Sequence, residues 1–571
     1  MATRSSPPAS PTPSDSSAHS ATTLAGNSCP AAALCEGKLD PATGRPWNAL
    51  DIAVPTTLTT TPIPAIQPLV QTIRANWTRT RALHSLSFRK QQLRQLAKLM
   101  NENEDLLCAA LYHDLHKSRY QTQFSEFFTT TTEIAEAVKH LDAWAKPEYP
   151  SRQLVNLTDT VMVRKDPVGV VLVIGAWNYP LYLTLSPMVA AIAAGNAVVL
   201  KPSEVSPHTA QVLADLIPKY LDPRFFQVVN GGVPETSEVL KAKFDHILYT
   251  GNGSVARIIM SAAAKHLTPV TLELGGKSPA VIHPSADLRN AARRIVFGKF
   301  INCGQTCVAP DYILISRDQQ DEFVRELQAA ITEMYGADPK DSPDYGRIVA
   351  DRHFDRLAGY IKSFDKPHPA QDDLAGQATY GGQIAIGGSP AATWTKADRY
   401  IPPTVLTNVG IDSPIMEDEI FGPLLPIVPL DTPSDATADA DLADDEWGNN
   451  RGADAFMRQA ASLIGRRDHP LALYVFGRDA AACEWLVAHT QSGGVTVNDT
   501  IMHLVTAGLP FGGVGGSGIG AYHGKFGFDA MTHKRAVLKR AMGLEFVNSV
   551  RYAPLGETQL SLAKRFVFSN L

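Results

Sequence analysis

The sequence predicts an α/β protein, because patterns typical of strands and helices alternate through its central part. Residues 168–200 carry no charged side chain, yet glycines and prolines divide them into a strand at 168–174, a helix at 183–194 and a strand at 197–201. These interruptions exclude a transmembrane helix. Strands that are apolar on both faces are typical of a parallel sheet covered by helices.

A third strand, at residues 246–250, indicates a Rossmann-like cofactor domain. It runs into G-N-G-S-V-A, which matches the dinucleotide-binding pattern from Gly251 to Ala256, and a helix follows from Ser254. Gly251 and Ser254 are therefore candidate phosphate contacts. Glu273 lies about twenty residues further on, where the pattern places a ribose partner, but its apolar surroundings suit a general base equally well.

The end of the strand at 197–201 offers rival ribose contacts. Lys201 and Glu204 lie there in the segment K-P-S-E. Ligands collect at the carboxyl ends of parallel strands, so these two residues compete with Glu273 for the ribose.

Length and charge bound the classes of function. With 571 residues the chain exceeds what one hydrophobic core supports, so we expect several domains. Its 52 basic and 57 acidic residues give a net charge of -5, and no basic stretch favours nucleic acid as a partner. Six scattered cysteines form neither a disulfide framework nor a metal-type pair, which indicates a reducing compartment.

The two ends of the chain differ from the rest. Residues 1–60 are mostly Ser, Thr, Pro and Ala, which predicts a disordered tail. The tail lacks the apolar run of a secretory signal and the arginines of a mitochondrial one, so we expect a cytoplasmic protein. Residues 541–571 form a second tail with no run long enough to span a membrane, which predicts no transmembrane anchor and leaves peripheral membrane contact open.

Amphipathic helices and a hairpin precede the central sheet. Apolar residues recur at three and four positions from Ile66 to Trp144. His113 and His116 lie in this helical part, and we interpret them as helix-surface residues, so that no metal site is predicted. Residues 154–165 alternate between apolar and polar side chains, which predicts a hairpin.

Residues 300–310 hold the candidate nucleophile. The segment F-I-N-C-G-Q-T-C-V-A-P is small and uncharged, and Gly304 lets the backbone bring Cys307 close to a substrate. A thiol attacks when its site lowers its pKa or supplies a base. The alternative is that Cys303 and Cys307 are both buried structural cysteines.

Six motifs in one order then point to a family. They are W-N-Y-P (177–180), K-P-S-E (201–204), E-L-G-G-K-S-P (273–279), G-Q-T-C (304–307), E-I-F-G-P (419–423) and P-F-G-G-V-G-G-S-G-I-G (510–520). Together they resemble the aldehyde dehydrogenase superfamily, and D-L-H-K (114–117) is similar to its class 3 branch, which includes fatty aldehyde dehydrogenases. The resemblance covers residues 64–552.

The resemblance implies NAD(P)-dependent oxidation of an aldehyde to a carboxylic acid. Cys307 would attack the aldehyde, Asn178 would donate to the oxyanion and Glu273 would be the general base. For the cofactor it implies Lys201 and Glu204 at the adenosine ribose, residues 251–254 at the pyrophosphate, and Glu419 with Phe421 at the nicotinamide end. Because a carboxylate at Glu204 repels a 2′-phosphate, we expect NAD, with NADP as the alternative.

The resemblance also implies domain boundaries. A cofactor domain would occupy residues 61–274, a catalytic α/β domain 275–493, and a small β bridging element 494–540 with the hairpin at 154–165. Such an element bridges two subunits, so we expect a homodimer.

Three departures from the family pattern stand out. Ala256 replaces a common glycine, which the pattern tolerates. Cys303 stands where relatives commonly have no cysteine, which suggests either a packing residue or a thiol that peroxide joins to Cys307. The acidic insertion 431–451 is predicted to be a solvated loop whose deletion leaves turnover intact.

The predicted substrate pocket is apolar. Tyr179, Tyr182, Phe124 and residues 501–505 favour a medium- or long-chain aliphatic, aromatic, indolic or isoprenoid aldehyde. Two other functions compete with this one. One is a catalytically silent binding or structural protein on the same fold, and the other is a coenzyme-A-acylating aldehyde dehydrogenase, against which Glu273 speaks.

Overall fold

A computed structural model describes residues 47–152, 156–364, 382–388, 394–431, 454–543 and 545–567. The chain divides into two compact units, Met1–Asn48 and Ala49–Leu571, and the described helices and strands all belong to the second. The predictions for residues 1–46 and for 432–451 of the acidic insertion lie outside the described residues.

The prediction of a tail that extends to residue 60 is wrong at its end. Ala49 begins a short helical turn and is buried. The backbone N–H groups of Thr59 and Thr61 donate to Gln211 and Asn230 at 2.7 and 2.8 Å. Residues 49–61 therefore reach the folded unit through backbone hydrogen bonds and burial.

The strands of the described residues form three sheets. In chain order they are β1 (Thr160–Pro167), β2 (Val170–Ile174), β3 (Ala197–Lys201), β4 (Phe226–Val228), β5 (His246–Thr250), β6 (Val270–Glu273), β7 (Pro279–Ile282), β8 (Tyr312–Ser316), β9 (Gln383–Ile386), β10 (Thr404–Thr407), β11 (Leu424–Leu430), β12 (Ala472–Phe476), β13 (Gly494–Val497), β14 (Gly518–Ile519) and β15 (Thr532–Lys539).

The described α-helices pack against the two large sheets or lie in the N-terminal or C-terminal part of the second unit. They are α1 (Ile63–Thr80), α2 (Leu86–Glu102), α3 (Glu104–Leu115), α4 (Arg119–Thr122), α5 (Phe128–Trp144), α6 (Tyr182–Ala194), α7 (Pro207–Tyr220), α8 (Val233–Val239), α9 (Gly253–Ala264), α10 (Leu288–Phe300), α11 (Gln320–Tyr335), α12 (Asp351–Phe364), α13 (Ala455–Gly465), α14 (Ala480–His489), α15 (Met502–Val505), α16 (Gly524–Ala530), α17 (Glu545–Asn548) and α18 (Glu557–Val567).

The first large sheet confirms the predicted β-α-β unit. Its strand order is β14-β6-β5-β2-β3-β4, and every neighbouring pair is parallel except β14 with β6. Every residue of β2, α6 and β3 is buried, which explains why this stretch carries no charge between its ends. The chain leaves β2 towards β3 and leaves β5 towards β6, so the neighbours β2 and β5 form a topological switch point, where such sheets bind ligands.

The second large sheet has seven strands in the order β13-β12-β7-β8-β11-β10-β9. Its strands are parallel except for β9, which pairs antiparallel with β10. The α/β prediction for this part of the chain is confirmed. Strand β13 belongs to this sheet and β14 to the first, so the assignment of all of residues 494–540 to a bridging element is wrong.

The third sheet pairs β1 with β15 in antiparallel register, from Thr160 opposite Lys539 to Pro167 opposite Thr532. The hairpin predicted for 154–165 is therefore wrong in its main pairing, because the partner of β1 is more than 360 residues away in the chain. Local alternation predicted the strand, but it carries no information about a distant partner. Among the described residues, no helix has both the length and the apolar content needed to cross a membrane.

Candidate active site

Cys307 follows a tight turn that the local sequence permits. After α10 ends, Asn302 and Cys303 adopt positive φ angles of 52° and 55°. Gly304 continues the turn at φ 74°, and a Cβ there would lie 2.2 Å from the carbonyl oxygen of Gly422. The glycine is therefore required both for its conformation and for the close approach of another backbone.

Two cavities meet at Cys307. One is a cleft of about 650 Å³ at the carboxyl ends of β2, β3, β5 and β6. The other is a narrow apolar space of about 40 Å³, called the tunnel below, which Cys307 also lines. Among the described residues, Cys307 is the one that lines both. A thiol in this position reaches a molecule in either space.

The thiol needs help to ionise. Burial raises the pKa of Cys307, and the nearby carboxyl groups of Glu419 and Glu273 raise it further. Because the thiolate is the nucleophilic form, a proton acceptor beside the thiol is required for attack at neutral pH.

Glu273 is suited to be that acceptor. It is the last residue of β6, only 2% exposed, and it lines the same cleft as Cys307. Neither of its carboxyl oxygens has a hydrogen-bond partner among the described residues. Burial alone raises the pKa of Glu273 well above 4.5. A buried carboxyl group without partners is costly, and such groups concentrate at functional sites.

Asn178 lies in the loop after β2 and is almost fully buried. Its side-chain Nδ2 donates to the carbonyl oxygen of Gln305 at 3.1 Å, which uses one of its two amide hydrogens. Asn178 lines the cleft together with Cys307, so its second hydrogen is available to an oxyanion at the thiol.

A buried ion pair holds the Asn178 loop at both ends. Lys117 Nζ donates to the carbonyl oxygen of Asn178 at 2.8 Å and to Glu126 Oε1 at 2.5 Å. Glu126 Oε2 accepts from the backbone N–H groups of Leu181 and Tyr182 at 2.9 and 3.2 Å. Glu126 lies in a π-helical turn, Gln123–Phe127, a feature frequent at functional sites.

Sequence reasoning missed this pair as a functional unit. Lys117 is the last residue of D-L-H-K, which served as a family signature and received no role. A lysine and a glutamate nine residues apart give no signal of mutual burial, because π-helical spacing is not recognisable from sequence.

The cleft brings together almost all predicted cofactor contacts. Lys201 is the last residue of β3, and its Nζ lies 3.1 Å from Glu204 Oε2. Gly251 follows β5 directly. Asn252 comes next and caps α9, because its side chain accepts the backbone N–H of Val255. Helix α9 itself begins at Gly253. The cleft is lined by Lys201, Glu204, Gly251, Asn252, Val255, Glu419 and Phe421, but not by Gly253.

Ser254 does not line the cleft. Its side chain is exposed on α9, whereas Asn252 and Val255 face the cavity. The dinucleotide-binding pattern specifies positions along the chain, but it does not specify which face of the first helical turn points to the ligand.

The cleft fits a dinucleotide. A Cβ at Gly275 would lie 1.9 Å from Glu419 Oε2, and a Cβ at Gly251 would lie 2.1 Å from the hydroxyl of Tyr249. Both positions therefore need glycine to keep the cradle open. Lys277 holds the Glu419 loop in place, since its Nζ donates to Asp311 at 2.7 Å and to the carbonyl oxygens of Ile415 and Asp418 at 2.9 and 3.0 Å.

The tunnel has the predicted apolar lining. Phe124, Tyr179 and Tyr182 all line it, as do Ile501, Met502, Leu504 and Val505. The hydroxyls of the two tyrosines are occupied, with Tyr179 bonded to Thr306 and Tyr182 to His523, both at 2.7 Å. Sequence reasoning missed six further lining residues, which are Ser125, Leu183, Phe297, Ile301, Thr306 and Phe511.

Cys303 takes no part in either cavity. It is fully buried, forms a hydrogen bond with the Tyr345 side chain and packs against Gly346. Burial raises the pKa of Cys303 to about 12. Its position favours the packing interpretation over the redox one.

Comparison with known proteins extends over most of the chain. The model of the aldehyde dehydrogenase family matches residues 73–444 and 457–537. "Aldehyde dehydrogenase, dimeric NADP-preferring" of Rattus norvegicus is 45% identical over 470 residues, which are 82% of this chain and 94% of that protein. "Aldehyde dehydrogenase family 3 member A2" of Mus musculus is 45% identical over 485 residues, which are 85% of this chain and 91% of that protein.

Solved structures have the same fold. The structure described as "Substrate bound state of Staphylococcus Aureus AldH" matches with a TM-score of 0.78 at 36% identity and covers 88% of this chain and 99% of that one. The Mycobacterium tuberculosis aldehyde dehydrogenase complexed with NAD+ matches with a TM-score of 0.70 at 26% identity and covers 85% of this chain and 92% of that one.

Proposed function

This chain belongs to the aldehyde dehydrogenase family and oxidises aldehydes with NAD or NADP, and we propose that its substrates are hydrophobic aldehydes that react at Cys307. The observation that carries the proposal is the position of Cys307 between the apolar tunnel and the cofactor cleft. The aldehyde enters through the tunnel, and the cofactor occupies the cleft on the other side of the sulfur.

Attack begins with a proton transfer. Glu273 removes the thiol proton, directly or through one water molecule, because burial keeps the thiol protonated and the carboxyl group has no competing partner. The Cys307 sulfur then bonds to the aldehyde carbon, and its carbonyl oxygen becomes an oxyanion. Asn178 Nδ2 and the Cys307 backbone N–H donate to this oxygen, at about 3 to 4 kcal/mol for each donor.

The second half of the reaction releases the acid. The carbonyl then re-forms from the oxyanion as the hydrogen on the same carbon leaves as a hydride, for which bound NAD(P) in its oxidised form would supply the acceptor. The thioester that remains on Cys307 is opened by water, and Glu273 takes the proton of that water. This use of Glu273 favours hydrolysis over transfer to coenzyme A, and the presence of Cys307, Glu273 and Asn178 in one cleft weighs against a silent binding protein.

Glu204, Lys201 and Gly251 would hold the adenosine and pyrophosphate part of the cofactor, and Glu419 with Phe421 the nicotinamide part. We propose a preference for NAD, because the carboxylate of Glu204 at the ribose position repels a 2′-phosphate. A rat relative is named NADP-preferring, so the ratio of kcat/KM for the two cofactors tests this preference directly. A higher value with NADP would contradict it.

We also propose a cytoplasmic homodimer. The same relative is named dimeric, and the β1–β15 sheet is the part of this chain that corresponds to the predicted bridging element. Light scattering of the purified protein tests the dimer, and fractionation tests the location together with any peripheral membrane contact.

The test of the reaction is a substrate panel with a matched variant. Wild type and Cys307→Ala are assayed for NADH and NADPH formation with acetaldehyde, hexadecanal, benzaldehyde, indole-3-acetaldehyde and an apocarotenal. We expect wild type to oxidise one hydrophobic group and Cys307→Ala to oxidise none. Acid product without added coenzyme A excludes the acylating reaction, and a folded, cofactor-binding protein that oxidises no aldehyde contradicts the proposal.

A further inference from the structure

A second chamber lies beside the substrate tunnel. It has a volume of about 430 Å³, about ten times that of the tunnel. Five residues line both spaces: Phe124, Tyr182, Met502, Leu504 and Val505. The two spaces therefore share part of their walls.

The wall of the chamber contains both apolar and charged side chains. Phe128 and Trp144 of α5 contribute aromatic surface. Most of the charged groups are already occupied, since Glu136 pairs with His140 at 3.1 Å and Lys525 pairs with Asp529. These pairs leave little unsatisfied charge for a ligand.

Glu133 is the exception in this wall. Its Oε2 accepts the backbone N–H of Gly524 at 2.9 Å, and no other described residue forms a hydrogen bond or an ion pair with it. Burial and the neighbouring carboxylate of Glu136 raise the pKa of Glu133. Glu133 Oε1 thus has no hydrogen-bond donor among the described residues.

We propose that this chamber binds the far end of the substrate and accepts an aldehyde whose apolar chain ends in a hydroxyl group that donates to Glu133. The proposal rests on the proposed oxidation of hydrophobic aldehydes at Cys307. A hydroxyl loses its water on entering the chamber, and an acceptor must replace that water. A terminal carboxylate is disfavoured, because Glu133 and Glu136 repel it.

The test compares three ends on the same chain. Octanal, dodecanal and hexadecanal are each prepared with a methyl, a hydroxyl or a carboxylate end, and kcat/KM is measured for wild type and Glu133→Gln. In the variant the amide oxygen still accepts from Gly524, so the amide NH2 presents a donor where the carboxyl group presented an acceptor. Asp142→Asn, in the same helix but outside the chamber, is the matched control.

For chains that reach the chamber, we expect Glu133→Gln to lower the hydroxyl-to-methyl ratio of kcat/KM about five- to tenfold, because a neutral hydrogen bond from the amide NH2 to the hydroxyl oxygen replaces the charge-assisted bond from the hydroxyl to the carboxylate. The carboxylate-to-methyl ratio should rise by a similar factor, and the methyl-ended aldehydes and the Asp142→Asn enzyme should stay within about twofold of wild type. Ratios that do not change at any chain length would overturn the proposal.

A binding measurement separates this proposal from the reaction itself. Dodecanol and its ω-hydroxylated diol are titrated into each protein by calorimetry, which needs no turnover. Glu133→Gln should weaken binding of the diol and leave binding of dodecanol unchanged. Equal changes in the two affinities would overturn the proposal. If wild type binds the diol in this way but oxidises no aldehyde, the proposed function fails while the chamber assignment stands.

A second variant tests the proposal in case Glu133→Gln does not fold. Ala507→Trp narrows the chamber from an exposed lining position. It should lower kcat/KM for the hydroxyl-ended hexadecanal and leave kcat/KM for octanal unchanged. A lower kcat/KM for octanal with no change for the hydroxyl-ended hexadecanal would contradict the chamber as the site that binds the far end of the substrate.

Discussion

Lys117 Nζ and Glu126 Oε1 lie 2.5 Å apart, and the two side chains are only 1% and 0% exposed. Both partners also hold the backbone of the loop that carries Asn178. A charge buried this deeply is stable only when paired, so neither partner can leave without a large cost. The pair therefore fixes the position of Asn178, the proposed oxyanion donor.

Glu126→Gln is expected to lower kcat about 10- to 100-fold and to destabilise the fold by about 3 kcal/mol, because the charge of Lys117 is left without its partner. The loss in kcat should be absent when Asn178 is already alanine, since the pair acts through that residue. Kinetics of the double-mutant cycle and thermal melting measure both effects.

The exposed pair between Lys90 and Asp142 is the control. Asp142→Asn should cost less than about 1 kcal/mol. A fully additive loss of kcat in the Glu126→Gln, Asn178→Ala double variant would show that the buried pair supports the fold but not the oxyanion donor.

Glu273→Gln is expected to slow thioester hydrolysis about 100- to 10,000-fold and to abolish the rise of the rate with pH. In wild type this rise lies above pH 4.5, because burial raises the pKa of Glu273 and the base is active only when deprotonated. Stopped-flow kinetics across a pH series, with Glu322→Gln as an exposed control, measures it.

The same variant should gain stability in mildly alkaline buffer. The folded state holds the Glu273 proton more tightly than the unfolded state, so stability falls as pH rises from the ordinary value of 4.5 towards the raised pKa. The melting temperature of Glu273→Gln should exceed that of wild type at alkaline pH and equal it below pH 4.5. If the two proteins had the same melting temperature at alkaline pH as well as below pH 4.5, burial would not destabilise the charged form of Glu273.

Gly275→Ala is expected to weaken cofactor binding about tenfold or more, because the new Cβ displaces the Glu419 carboxyl group 1.9 Å away. Fluorescence titration with NAD measures the dissociation constant. Gly359→Ala is the control, since that glycine lies in α12 with no atom within 4 Å of an added Cβ. Unchanged affinity in Gly275→Ala would place the nicotinamide end away from Glu419.

Cys303→Ser is expected to leave the response to mild peroxide unchanged, with inactivation that added thiol still reverses. Cys303 is fully buried and its pKa is raised to about 12, so it supplies no thiolate to resolve an oxidised Cys307. Activity after peroxide and after added dithiothreitol checks this. Loss of thiol recovery in the variant would restore the disulfide hypothesis.

The sequence predicted most of what depends on local pattern. Burial on both faces removes charge from β2, α6 and β3, so their existence and bounds were readable to within two residues. Cys307, Glu273 and Asn178 were predicted because each lies in a motif that resembles the aldehyde dehydrogenase superfamily, and the structure places all three in one cleft.

Tertiary structure alone decided what joins distant segments. The partner of β1, the sheet of β13 and the burial of Lys117 against Glu126 depend on packing that no local pattern encodes. Ser254 and Cys303 show the same limit, since the sequence placed them beside the site and the direction of their side chains takes them out of it. Sequence spacing fixes residue type and order, whereas a site requires directions in space, which the packed fold supplies.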